Sequence, residues 1–152
     1  MSVGSGTGTH AWIDTDGGFA QVLPELAAAE AYGLDTEFHR ERTYHARLAL
    51  LQLSWPGGTA VVDPTVVDVA PLASVLDGDG VCLMHAASQD LEILARVCGT
   101  LPQRLFDTQV AAMVCGYGDS VSYEQLSNDI AKARIDKSSR FTDWSRRPLS
   151  AA

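Results

Sequence analysis

Asp35 and Glu37 stand two positions apart in Leu34-Asp35-Thr36-Glu37-Phe38, behind an apolar lead-in. On a β-strand such residues share a face. Both carboxylates then project side by side, roughly 6–7 Å apart at the backbone, with Thr36 on the other side. Like charges held this close raise each other's pKa, and a divalent cation removes the conflict. Mg²⁺ and Mn²⁺ favour hard oxygen donors, so the pair is a candidate metal site. The plain alternative is an acidic strand end facing water.

A third acid lies in His85-Ala86-Ala87-Ser88-Gln89-Asp90, which follows the apolar run Val81–Met84 and opens an amphipathic helix. On that helix Glu92 and Arg96 are four apart and form a solvent-side pair. Asp90 aligns instead with Leu94 and Val97, on the face that packs inward. A first-turn acid is favoured by the helix dipole, but that does not account for its place on the apolar face. His85 alone fits a buried, hydrogen-bonded histidine as well as a site residue. Asp107 and Thr108 sit where a strand meets a helix; they read first as helix caps and second as the floor of a site. There is no Gly-x-Ser-x-Gly nucleophile motif and no glycine-rich phosphate loop.

The elements that must position these residues follow from periodicity. The chain predicts a helix from Asp14 to about Glu30, then a strand from Tyr32 to Phe38. Arg47 to Trp55 is apolar on both parities, as in a strand covered on both faces. Pro56-Gly57-Gly58 is a turn into a strand over Thr59 to Asp63. A short helix over Pro71 to Leu76 is broken by Asp77-Gly78-Asp79-Gly80. A strand over Val81 to Met84 leads to a helix from Ser88, its expected N-cap, to Cys98. Leu105-Phe106 is a short fifth strand. Helices follow over Thr108 to Cys115 and Tyr123 to Ala133. This order predicts one α/β domain with a mixed five-stranded sheet and helices on both faces.

At 152 residues, 46% hydrophobic and 20% charged, the chain has the composition of a soluble globular domain. No apolar run approaches a membrane span, so no membrane partner is expected. The first residues, Met1 to His10, lack the basic start and apolar centre of a signal peptide and read as a flexible lead. The three cysteines, Cys82, Cys98 and Cys115, lie among apolar residues with no Cys-x-x-Cys pair. They are expected as buried free thiols of a cytoplasmic protein, not zinc ligands. The net charge of −8 is unevenly spread: from Ile130 onward six basic residues face two acidic ones. That segment is either a local phosphate-binding surface or a solvated one.

Five blocks in order then carry a resemblance: LDTEF with RTYHARLALLQL, VDP, HAASQDLEIL, LFDTQVAA and DKSSRFTDWSRRPLS. From about residue 30 to the end they resemble ribonuclease D, a bacterial 3′–5′ exoribonuclease of the DEDD superfamily with a ribonuclease H-like fold. The resemblance implies metal-dependent trimming of single-stranded RNA 3′ ends, such as those of tRNA, to nucleoside 5′-monophosphates, through two Mg²⁺ or Mn²⁺ ions. Asp35 and Glu37 match the acids of the family's first motif, and Asp90 the acid of the second. Thr36, Phe38 and His85 match residues that help to hold the terminal nucleotide.

The family's third motif, Tyr-x-x-x-Asp, lies just beyond Arg-Pro-Leu-Ser. Tyr32, Tyr44, Tyr117 and Tyr123 are followed four residues on by Thr36, Leu48, Val121 and Ser127, so none fits. The other branch of the superfamily uses His-x4-Asp. His85 and Asp90 have that spacing, but their neighbours match the second motif. The expectation is an exonuclease domain over 11–152 that ends before the third motif, without its C-terminal helix and impaired in hydrolysis. Apolar surface left open by that helix would favour self-association. The rival expectation is an inactive remnant that binds RNA ends or a protein.

Overall fold

The computed structural model describes residues 9–39, 45–135 and 143–149. Its strands are β1 (Thr9–Ile13), β2 (Ala31–His39), β3 (Arg47–Trp55), β4 (Gly58–Val62), β5 (Val81–Met84) and β6 (Leu105–Asp107). The helices are α1 (Asp16–Ala28), α2 (Ala73–Leu76), α3 (Ser88–Val97), α4 (Thr108–Val114) and α5 (Tyr123–Asp129). One mixed sheet runs in the order β1-β4-β3-β2-β5-β6. β2 and β3 are antiparallel, as are β3 and β4, whereas β1, β5 and β6 each join the sheet in parallel.

The sheet has six strands, not five. The added one, β1, begins at Thr9 inside the stretch read as a lead and pairs with β4 from Thr9 opposite Gly58 to Ile13 opposite Val62. A five-residue edge strand takes its register from a neighbour almost fifty residues away, so its own pattern is weak. β3 meets the expectation made for it: Leu48, Ala49, Leu50 and Leu51 are all buried, on both parities. The core joins Phe19 and Leu26 of α1, Tyr32 and Leu34 of β2, Leu51 and Leu53 of β3, and Ile93 and Leu94 of α3. A smaller cluster of Ala112, Val121 and Leu126 packs α4 near α5.

Helix ends differ from the periodicity where capping decides. Thr15 caps α1, its hydroxyl accepting from the Gly18 amide at 3.1 Å, so α1 starts at Asp16. α5 stops at Asp129, four residues short of the expected end, and Lys132 has a φ of +54° that no helix continues. Ser88 is not a cap. Ala87 occupies the N-cap of α3, with no side-chain hydrogen bond there. Cys115 is exposed rather than buried because it lies past the last turn of α4. Cys82 is buried and Cys98 partly so, and burial pushes both thiols up to about 11, which keeps them inert. No helix among the described residues is long and apolar enough to cross a membrane.

The C-terminal basic segment does not uniformly face water. Arg147 turns inward and forks the Asp63 carboxylate, with Nη2 at 2.7 Å from Oδ1 and Nε bonded to Oδ2. Its Nη2 also donates to the Ala49 carbonyl at 2.9 Å, and its guanidinium lies 5.8 Å from the centre of the Trp12 ring. Ala49 is the residue skipped when the β2–β3 register shifts between Glu37 opposite Leu50 and Phe38 opposite Leu48. A bulged residue loses its ladder partner, and Arg147 takes up its carbonyl. Lys137 and Arg140 lie outside the described residues.

Candidate active site

The site forms where β2 and β5 run side by side in parallel and α3 starts. The β2–β5 pairing ends with Gly33 opposite Leu83, two residues before Asp35 on β2 and two before His85, which follows β5. β2 alternates as a half-buried strand should: Tyr32, Leu34 and Thr36 are buried, while Asp35 is exposed and Glu37 half-buried. The Asp35 carboxylate accepts from Gln52 Nε2 at 3.1 Å, across the strand pair. Asp90 is 7% exposed in the first turn of α3. Thr36 Oγ1 donates to Asp90 Oδ1 in a short, buried hydrogen bond that ties β2 to α3.

The three acids couple electrostatically. Asp35 is pushed up to about 6, first by partial removal from water and next by the charge of Asp90. Glu37 is raised by burial and then by the charges of Asp35 and Asp90. Asp90 is raised chiefly by burial, against the lowering effect of the Thr36 hydroxyl. Among the described residues no lysine or arginine forms an ion pair with any of them. Nor do three His, Cys, Asp or Glu side chains among those residues converge closely enough to ligate one ion. Asp90 Oδ1 is turned onto Thr36. The donor set suits a hard divalent ion, which would supply the missing positive charge.

His85 is fixed by its neighbours. Thr108 Oγ1 donates to the Met84 carbonyl at 3.1 Å, so the same oxygen accepts from His85 Nδ1–H at 2.9 Å. That places the proton of a neutral ring on Nδ1 and leaves Nε2 as an acceptor. The Tyr123 ring packs on His85 with centroids 5.6 Å apart, and Tyr123 is itself 58% exposed. Phe38 packs against the core beyond the bulge, and no described hydrogen bond links it to the acids. Asp107 does cap α4, accepting from the Gln109 and Val110 amides. It also accepts from Ala86 and Ala87, 21 and 20 residues back in the chain. The sequence signal for Asp107 was its position between strand and helix; for Tyr123 there was none.

A family model described as 3′–5′ exonuclease matches residues 10–152. Ribonuclease D of Jannaschia sp. (strain CCS1) is 53% identical over 134 residues, which cover 83% of this chain and 35% of that protein. Ribonuclease D of Gluconacetobacter diazotrophicus is 48% identical over 143 residues, covering 92% and 36%. This chain thus spans little more than a third of the length of the curated relatives it matches. The crystal structure of Escherichia coli RNase D, described as an exoribonuclease involved in structured RNA processing, superposes with a TM-score of 0.88. It is 38% identical and covers 93% of this chain and 38% of that one. Trypanosoma brucei RNase D in complex with RNA U12 shares the fold at a TM-score of 0.81 and 17% identity, over 95% of this chain and 56% of that one. By sequence and by fold, this chain belongs to the 3′–5′ exonuclease family and has a ribonuclease D-like domain of the DEDD superfamily.

Proposed function

We propose that this domain hydrolyses the terminal phosphodiester at the 3′ end of single-stranded RNA and releases nucleoside 5′-monophosphates. The observation that carries the reading is the electrostatic coupling of Asp35 and Glu37 on β2 with Asp90 on α3, each raised in pKa, with no cationic partner among the described residues. Three acids coupled and raised in pKa in this way suit a bound cation. Asp35, Glu37 and Asp90 would hold Mg²⁺ or Mn²⁺. Such ions activate water and stabilise the charge that develops on the leaving 3′ oxygen.

The chain's own residues do the positioning. Gln52 keeps Asp35 turned toward the site, and Thr36 keeps Asp90 against β2. His85, with Nε2 as an acceptor, would take a hydrogen bond from a ribose hydroxyl of the terminal nucleotide. Phe38 offers an apolar surface beyond Glu37 for the same nucleotide. RNA as the substrate is supported by the resemblance to ribonuclease D and by the RNA-bound neighbour.

The test is an assay on 5′-labelled single-stranded RNA with Mn²⁺ and, separately, with a chelator. The expected result is stepwise shortening from the 3′ end with Mn²⁺ and none without. A second reading is favoured by the lack of three convergent ligands among the described residues: the domain holds RNA 3′ ends without cutting them. Mn²⁺-dependent binding with no shortening would establish that reading in place of the first.

A further inference from the structure

Between β5 and α3 the chain turns through His85, Ala86 and Ala87. Ala86 has a φ of +56°, the left-handed region that an L side chain enters only under constraint. This turn sets both flanking site residues, His85 just before it and Asp90 in the first turn of the helix after it. α3 has no side-chain cap of its own. The constraint comes from the far side of β5. Asp107 Oδ1 accepts from the Ala86 amide at 3.0 Å, and Oδ2 from the Ala87 amide at 2.9 Å. The same Oδ1 accepts from Gln109 at 2.8 Å and Val110 at 3.4 Å. The next residue, Thr108, grips Met84 and His85. Burial alone would raise Asp107, yet the four amides more than reverse this and hold it below the usual carboxylate range.

We infer that Asp107 is a positioning residue, whose carboxylate holds the strained Ala86 turn and thereby sets where His85 and Asp90 stand. The inference rests on the proposed metal site. Capping α4 requires one acceptor, and any good N-cap residue would serve. Oδ1 serves the α4 amides and Ala86 together, and only Oδ2 reaches Ala87. Holding the whole turn thus takes both oxygens of a carboxylate where capping takes one, and a side chain with a single oxygen tests the difference.

Asp107→Ser keeps a hydroxyl at the α4 N-cap but is too short and has one oxygen too few to span the turn. Asp107→Ser/Ala86→Gly then removes the left-handed penalty, because glycine adopts this φ freely. In Asp107→Ser, amide exchange at Ala86 and Ala87 should accelerate by at least about tenfold, while α4 amides keep their protection. Mn²⁺ affinity, measured by calorimetry, should fall by roughly tenfold to a hundredfold, as when a partner that orients a metal ligand is lost. The double variant should recover most of that affinity, which a role confined to capping α4 would not allow. Parent-like Mn²⁺ affinity in Asp107→Ser, or no recovery in the double variant, would overturn the inference. If the parent itself binds no Mn²⁺, the proposed metal site falls, and the exchange data alone judge the turn: unchanged protection at Ala86 and Ala87 in Asp107→Ser refutes the hold.

Discussion

Asp90→Asn should reduce 3′-end trimming by about a thousandfold or more, on the order of 4 kcal/mol of transition-state stabilisation, while leaving the fold as stable as before or more so. The two halves of this prediction come from one feature. Asp90 is nearly buried, and burial raises its pKa, so carrying its charge costs the folded protein stability. Asparagine removes that charge and relieves Asp35 and Glu37 of a repulsive neighbour. Its side-chain oxygen can still accept the Thr36 hydroxyl, so the link between β2 and α3 survives. What is lost is a hard anionic donor. Steady-state trimming rates and thermal melts on the same preparations check both halves. A variant that is inactive because it is unfolded would contradict the account as much as a fully active one, since the acid is argued to serve chemistry at the expense of stability.

The second large effect concerns stability. Arg147→Met should destabilise the protein by about 3 kcal/mol, the lower end of what breaking a buried charge pair costs. Asp63 is 4% exposed and the Arg147 side chain about a quarter exposed, so the pair is poorly screened. Arg147 lowers Asp63 to about 2, helped by Thr65, whose hydroxyl and amide both bond to Oδ1. A folded-state pKa below the unfolded value of about 3.8 adds stability that is fully present above that value and is lost as pH falls through about 2. Arg147 is the largest cause of that shift, and its bond to the Ala49 carbonyl and its contact with the Trp12 ring are lost with it. Urea unfolding near neutral pH should show the loss. The acid-side decline of the parent between about pH 4 and 2 should be smaller in Arg147→Met. If the variant unfolds at the same urea concentration as the parent, the clamp between 143–149 and the sheet contributes nothing.

These two sites mark the boundary of what the sequence could show. Asp35 and Glu37 were legible because strand alternation is local: two positions apart means one face. Asp90 was legible because its helix is amphipathic and it lies on the apolar side. β3 and β5 announce themselves through short apolar runs, β3 followed by Pro56-Gly57-Gly58 and β5 preceded by Asp77-Gly78-Asp79-Gly80. None of this reaches the contacts that join distant stretches. Arg147 and Asp63 are 84 residues apart, and the arginine reads as one of several surface cations until the bulge at Ala49 supplies an open carbonyl. Ser88 looked like the cap of α3, but the turn before it is held by Asp107 from another strand. β1 was missed for the same reason: its place comes from β4, not from its own five residues. Thr36 was expected on the face away from Asp35 and is indeed buried there. Its bond to Asp90 could not be read, because nothing local says that α3 starts against that side of β2.

The central claim is that the three acids form a divalent-cation site, and the most direct measurement is the melting temperature from pH 5 to 7.5, with and without Mn²⁺. In the folded protein partial removal from water and the charge of Asp90 push Asp35 up to about 6, against about 3.8 in the unfolded chain. Raised folded-state values mean that these acids cost stability as pH climbs through that window, and Glu37 and Asp90 act in the same direction. A bound ion needs them deprotonated, so its stabilising effect should grow with pH and reach about 2.7 kcal/mol at a hundred times its dissociation constant. The account predicts a Mn²⁺-induced rise in melting temperature that is small at pH 5, large at pH 7.5 and absent in Asp35→Asn. An unchanged melting temperature at pH 7.5 in the parent, or an equal rise in Asp35→Asn, would contradict it.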